Sequence, residues 1–229
     1  MTLKYKNIAY VLKRSKRKTA SIQIERDGQV SLRVPLHMTI PQIEMLMANK
    51  EAWVRRHLNA RQIIRRKNRQ RYDEGTRFPY LGKSYCLKIV DDQTAPLLLK
   101  SGRFHLKSDY QSRPEADQAF KAFYCQQGMK KVRERVAYFQ NLIGVQANRI
   151  RIVETKTRWA SCSSIGNLNF HWKCLMFPKE VFDYIIVHEV SHLVHLNHSK
   201  HFWAQVEKII PDYKLRREWL RDKGVALDL

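Results

Sequence analysis

Three histidines and one glutamate lie on or just beyond an apolar segment that follows Pro178. His188 and His192 are four residues apart, so an α-helix places both imidazoles on one face, with Cβ atoms about 5–6 Å apart. Glu189 lies about 100° around the same helix, where its carboxylate can reach a water on the ion without binding the ion. The surrounding residues, from Val181 onward, are mostly apolar and predict a buried helix. This HExxH arrangement predicts a metal site with its own general base.

A catalytic zinc site has three protein ligands and keeps its fourth position for water. The downstream candidates for the third ligand are His195, His198 and His201. His195 lies about 10.5 Å along the helix axis from His188, too far for one ion to bind both. His198 can return to the ion if the helix ends near Asn197, because Asn tolerates the left-handed conformation that ends helices. We therefore predict one Zn²⁺ or another divalent metal, with Glu189 as the catalytic base and these ligands: His188, His192 and His198.

Two stretches resemble a known family. Residues 158–163, which read Arg-Trp-Ala-Ser-Cys-Ser, and residues 178–203 around the histidines are similar to the YgjP-like metal-dependent hydrolases, in the wider group of WLM and SprT-like metallopeptidase domains. The resemblance is strong over residues 150–220 and weaker over the rest. It implies a zincin-like α+β catalytic domain with the same three ligands and the same base. The family has Gly where Ala160 stands and Asn where His171 stands.

The pattern along the chain divides it into two regions of an α+β protein. Residues 1–110 are predicted to be a β-rich N-terminal region with one basic helix, because alternating strands surround the turns Asp27-Gly28 and Ser101-Gly102. Residues 111–229 are predicted to be the zincin-like hydrolase domain. A long helix there ends at Gly144. A short strand at residues 168–172 is predicted to be an edge that aligns an extended peptide.

Charge is the second strong signal, since 43 Lys and Arg stand against 21 Asp and Glu, a net charge of +22. Such a field attracts polyanions such as nucleotides or nucleic acid. The basic end of the first helix predicts a polyanion-binding surface formed by Arg55, Arg56, Arg61, Arg65 and Arg66. The four cysteines form no CxxC pair, and the start of the chain lacks a signal-peptide pattern. We therefore expect reduced thiols, a cytoplasmic location and no membrane span.

Three functions follow from these features. The first is a zinc metallopeptidase acting on polypeptides, with the base taking the water's proton. The second is a metal-dependent phosphoanhydride hydrolase acting on nucleoside triphosphates, although the chain has no P-loop. The third is a nucleic-acid-associated, SprT-like protease or binding protein. The candidate groups for substrate binding or for stabilising the transition state are Arg158, His171 and Tyr213.

Overall fold

The structure is a computed structural model that describes residues 2–25, 28–67, 72–155 and 158–224, apart from the side chains of residues 60–67. It contains mixed α and β elements, as the sequence predicts, and its N-terminal part is rich in β-strands. The chain forms two compact units, Met1–Lys67 and Asn68–Leu229. The helix and strands that carry the predicted site belong to the second unit.

The first unit is a four-stranded sheet with one helix. In the order β1-β2-β4-β3, β2 and β4 are parallel and the outer pairs are antiparallel. Alternation along the strands puts Tyr10, Leu32 and Val34 on one buried face, and Ile43 and Met47 of the helix belong to the same core. The bounds are β1 Thr2–Tyr5, β2 Ile8–Ser15, β3 Ser21–Ile24, β4 Val30–Pro35 and α1 Ile40–Lys67.

The second unit begins with another four-stranded sheet, in the order β5-β6-β8-β7. Its first hairpin turns at Leu81 and Gly82, which both have positive φ, 47° and 81°, as a tight hairpin turn needs. A Cβ at Gly82 would stand 3.1 Å from the Pro178 Cα, so this turn touches the start of the predicted metal-site helix. The bounds are β5 Arg77–Tyr80, β6 Lys83–Val90, β7 Leu97–Lys100 and β8 Arg103–Lys107.

A long helix, α2 (Arg113–Ile143), forms the centre of this unit. It ends at Gly144 in the left-handed conformation, φ 78°, which confirms the predicted end. Gly128 lets the helix approach its neighbours, because a Cβ there would stand 3.0 Å from the Leu175 side chain and 3.5 Å from the Ile152 side chain. The helix therefore supports both the second sheet of the unit and the site beside it.

The remaining elements are a three-stranded sheet and three helices. Their bounds are β9 Arg149–Val153, β10 Ala160–Cys162, β11 Asn167–His171, α3 Lys179–Ser191, α4 Lys200–Ile209 and α5 Tyr213–Lys223. The strand order is β10-β11-β9, so β11 is paired on both sides. The predicted edge role of residues 168–172 is therefore wrong, because a strand with two neighbours has no free edge for a peptide. None of the described helices is long and apolar enough to cross a membrane.

Candidate metal centre

Helix α3 is held near its start and at its midpoint. Its apolar residues are buried in the core of the second unit, and Leu81 N–H donates to the Leu175 carbonyl (2.7 Å) just before the helix begins. Midway along α3, the Asp183 carboxylate accepts two hydrogen bonds from Arg135 of α2, at 2.7 and 3.0 Å, and one from Lys179 at 3.0 Å. A bidentate arginine pair fixes rotation as well as distance. The end of α3 that carries His188 therefore has a defined direction.

The helix ends earlier than the sequence suggests, at Ser191 instead of near Asn197. Beyond this point the backbone tightens into turns in which Leu193 N–H donates to the Val190 carbonyl and Val194 N–H to the Ser191 carbonyl. The next helix begins after Ser199, whose hydroxyl accepts a hydrogen bond from the Phe202 N–H. The chain reverses between these two ends, and that reversal brings His198 back beside α3.

Three histidines converge at this reversal. Their nearest ring nitrogens lie within 4.8 Å of one another, and His188 Nε2 is 3.0 Å from His198 Nε2. His192 Nδ1 lies 2.9 Å from the His195 carbonyl, a contact that directs its Nε2 toward the other two rings. With Zn–N bonds of about 2.0–2.1 Å, two tetrahedral ligand nitrogens stand about 3.3 Å apart. The donor set and spacing therefore fit one ion held by three imidazoles.

The surroundings favour the uncharged form of two of these imidazoles, His188 and His198. Burial, and then the neighbouring His192, His198 and Arg217, lower the pKa of His188 to about 3. Burial, and then His192 and Arg217, also lower the pKa of His198. A neutral imidazole is the form that binds a metal. His195 and His201, the other two candidates for the third ligand, lie outside the group of three. Their ring centres are 6.2 Å apart.

Glu189 is only 6% exposed and lies beside strand β10. Its carboxylate accepts a hydrogen bond from the Cys162 backbone N–H. Burial raises the pKa of Glu189 to about 8, while the Arg158 charge and that hydrogen bond oppose the rise. Burial and the charge of Glu189 also raise the pKa of the Cys162 thiol to about 11, so Cys162 is a neutral thiol at pH 7.

Strand β10 exposes one edge near this carboxylate. On its inner side, Trp159 accepts from the His171 N–H and Ser163 donates to the Asn167 carbonyl. Backbone groups alternate along an antiparallel strand, so those of Ala160 and Cys162 point to the outer edge. The Cys162 N–H is already directed to Glu189 there. Within the described residues, no strand pairs with this edge of β10.

The three predicted substrate residues lie in different surroundings. Arg158 is exposed at the start of β10, close enough to Glu189 for its charge to act on that carboxylate. His171 is 1% exposed and packs between Trp159 and Trp172, with its Nδ1 accepting from the Lys173 N–H at 3.1 Å. Tyr213 is 6% exposed and stacks on Trp203. The structure thus places Arg158 beside the base and His171 in the core.

Sequence reasoning missed Arg217. Its guanidinium lies 4.8 Å from the centre of the Trp203 ring, and that ring stacks on His198 at 5.6 Å. Arg217 is exposed, and its charge acts on His188 and His198. The sequence did contain a signal for Arg217, because it follows Tyr213 by four residues. On one helix this spacing puts both side chains on the same face, the one that meets Trp203.

The predicted polyanion surface lies in the first unit. Arg55 and Arg56 are exposed on α1, and Arg55 Nε donates to Glu51 at 2.9 Å. The side chains of Arg61, Arg65 and Arg66 lie outside the described residues. Binding of nucleic acid at this helix stays a prediction.

Comparison with known proteins gives one family and one solved structure. The family model described as "YgjP-like, metallopeptidase domain" matches residues 18–223. The crystal structure of the metallopeptidase zymogen abylysin from Pyrococcus abyssi is 27% identical and superposes with a TM-score of 0.37, covering 40% of this chain and 95% of that one. No curated protein matches the sequence.

Proposed function

The chain belongs to the YgjP-like metallopeptidase family, and from this premise we propose that it is a zinc-dependent peptidase with Glu189 as general base. Family membership supports a metal-dependent hydrolase; the zinc and the roles of single residues are our proposal. The observation that carries it is the convergence of three histidine nitrogens within 4.8 Å, with a buried carboxylate, Glu189, on the helix that carries His188. Three convergent imidazoles and a buried carboxylate match the composition of a hydrolytic metal site.

The metal would be held by three histidines on two sides of the chain reversal. His188 and His192 approach from α3 and the turn that follows it, and His198 approaches from the segment before α4. When bound, zinc would supply acidification of a water and polarisation of the scissile carbonyl. The His195 carbonyl orients His192 through its Nδ1, as the partners of metal-binding histidines commonly do.

We assign the proton transfer to Glu189. Its pKa of about 8 means that Glu189 would act as the base in its ionised form, in which a carboxylate oxygen takes a proton from the attacking water and returns it to the nitrogen of the leaving amine. The Cys162 N–H fixes one side of this carboxylate, and burial shields it from bulk solvent. General acid–base catalysis of this kind contributes roughly 10²–10⁴-fold to the rate.

The substrate would align on the outer edge of β10, which replaces the strand predicted from the sequence. The backbone N–H and C=O of Ala160 point to this edge. Ala160 lies two residues before Cys162, whose N–H donates to Glu189. An extended peptide adds to such an edge through main-chain hydrogen bonds. The charge of Arg158 acts on Glu189 and that of Arg217 acts on His198, and both would supply positive charge for the developing oxyanion.

A second candidate is hydrolysis of a phosphoanhydride. The same two arginines favour it, because guanidinium groups bind phosphate oxygens well. The open edge of β10 has no role in that reaction, whereas it has a direct role in binding a peptide. We therefore place the peptidase first.

The test uses a matched pair of glutamine variants. Glu189→Gln should retain stoichiometric zinc and lose at least about 100-fold of the activity on casein, the lower end for loss of a general base. Glu207→Gln alters an exposed glutamate on α4 and should change neither quantity. Nucleoside triphosphates are assayed in parallel. Full casein hydrolysis by Glu189→Gln would exclude this carboxylate as the base, and turnover of nucleotides alone would favour the second candidate.

A further inference from the structure

A second surface of the catalytic unit has an open strand edge, at the end of the three-stranded sheet opposite β10. We name it the outer groove: a cavity of about 620 Å³ between α2 and the free side of β9, lined by residues 146–152 and by Met129, Arg133 and Gln140. Strand β9 lies at the opposite end of its sheet from β10. Two strand spacings of about 4.8 Å put about 10 Å of sheet between the outer groove and the edge beside Glu189.

The backbone of β9 is available for pairing in this groove. Its inner side pairs in parallel with β11 over five residues, and within the described ranges no strand pairs with its other side. Ile150 and Ile152 face α2 and the core, while Arg149 and Arg151 are exposed on the other face. An open edge of alternating N–H and C=O groups is a template for an added strand.

The side chains around this edge carry one sign of charge. Arg133, Arg149 and Arg151 are exposed, and none of them forms an ion pair with a described residue. The lining residues include no Asp or Glu. Three cations at a groove without a counter-charge favour an acidic ligand.

We propose that the outer groove binds an extended, acidic segment of a polypeptide by strand addition to β9. Main-chain groups of the segment pair with β9, its acidic side chains lie beside Arg149 and Arg151, and its other side chains face Met129. Nucleic acid fits less well, because no aromatic residue lines the groove to stack on a base. The proposal treats polypeptides as partners of this protein but does not depend on catalysis at the metal centre.

The probe is a fluorescein-labelled peptide in which Asp and Val alternate over six residues, a pattern that puts all acidic groups on one face of a strand. Binding is measured by fluorescence anisotropy with the full-length Glu189→Gln protein, so that the probe is not cleaved. A peptide with Pro in place of each Val has the same charge but lacks half of the N–H donors. Pro also fixes φ at about −65°, away from the extended strand, so this peptide should bind more weakly by about tenfold in either register.

Variants then locate the site. Arg149→Glu with Arg151→Glu should weaken binding of the Asp–Val probe about fivefold or more, as each exposed ion pair is worth up to about fivefold. Lys100→Glu with Arg103→Glu reverses two exposed cations that face each other on β7 and β8, and should leave the affinity unchanged.

Hydrogen exchange distinguishes the outer groove from the catalytic cleft. The probe should slow exchange of amides in residues 146–153 and leave residues 159–163 unchanged. Protection of residues 159–163 alone would overturn the proposal, as would equal affinity for the Pro-containing peptide. Displacement of the probe by a twelve-residue oligothymidylate at equal concentration would also overturn it, in favour of nonspecific anion binding. Because every readout is binding, a protein without peptidase activity could still pass the test.

Discussion

The Arg135–Asp183 pair attaches the metal-site helix to α2. The geometry of the pair gives an estimate of how much free energy of unfolding is lost when one partner is removed. The Asp183 side chain is 9% exposed and the Arg135 side chain 20% exposed, with two hydrogen bonds of 2.7 and 3.0 Å between them. Removing one partner of a buried pair costs about 3–5 kcal/mol. The cost is smaller here because the pair is partly exposed and because Lys179 still contacts the Asp183 carboxylate at 3.0 Å. We therefore expect Arg135→Met to lower the free energy of unfolding by about 2–3 kcal/mol.

The double variant Arg135→Met/Asp183→Leu should be much less destabilised than the sum of the two single variants, because no unpaired carboxylate stays buried. Tryptophan fluorescence during urea unfolding measures this, since four of the five tryptophans lie in the second unit. At about 2–4 °C per kcal/mol, Arg135→Met should lower the thermal midpoint by roughly 4–12 °C. A single-variant cost below about 0.5 kcal/mol, or strict additivity in the double variant, would refute the reasoning.

Three further predictions concern the site. His198→Ala should lose most of the bound zinc while His195→Ala keeps it, as measured by elemental analysis; equal loss in both would reverse our choice of third ligand. Alkylation of Cys162 by iodoacetamide, followed by mass spectrometry, should accelerate about tenfold per pH unit from pH 8 to 10, because a thiol of pKa about 11 gains thiolate over that whole range; a plateau below pH 9 would contradict the raised pKa. Arg217→Gln should lower kcat by about 10-fold or more with zinc content unchanged, whereas Arg221→Gln, on the same helix, should match the wild type; equal kinetics in both would remove Arg217 from the site.

Local patterns in the sequence predicted local structure well. The left-handed end of α2 at Gly144 follows from the conformational freedom of glycine, and the shared face of His188 and His192 follows from helix geometry. The antiparallel pairing of β3 and β4 follows from alternation around Asp27-Gly28. Each of these depends on residues within a few positions of one another.

Features that depend on distant parts of the chain were not predictable in this way. The position of β11 in the middle of its sheet requires β9 and β10 to pair with it from both sides, and no local pattern states which strands are neighbours. Helix α3 ends at Ser191 because the chain must reverse before α4, although nothing in residues 192–197 demands an early end. Arg217 reaches the histidines only through the packing of α5 on Trp203.

The contact of Gly82 with Pro178 has a consequence for the order of folding. The Leu81–Leu175 hydrogen bond and the close approach of Gly82 join segments that are far apart in the chain, and such contacts form late because loop closure must precede them. The start of α3 is therefore fixed only after the β5–β6 hairpin has packed. Tight metal binding should then appear in the last kinetic phase of refolding, and zinc added early should not accelerate the phases before it.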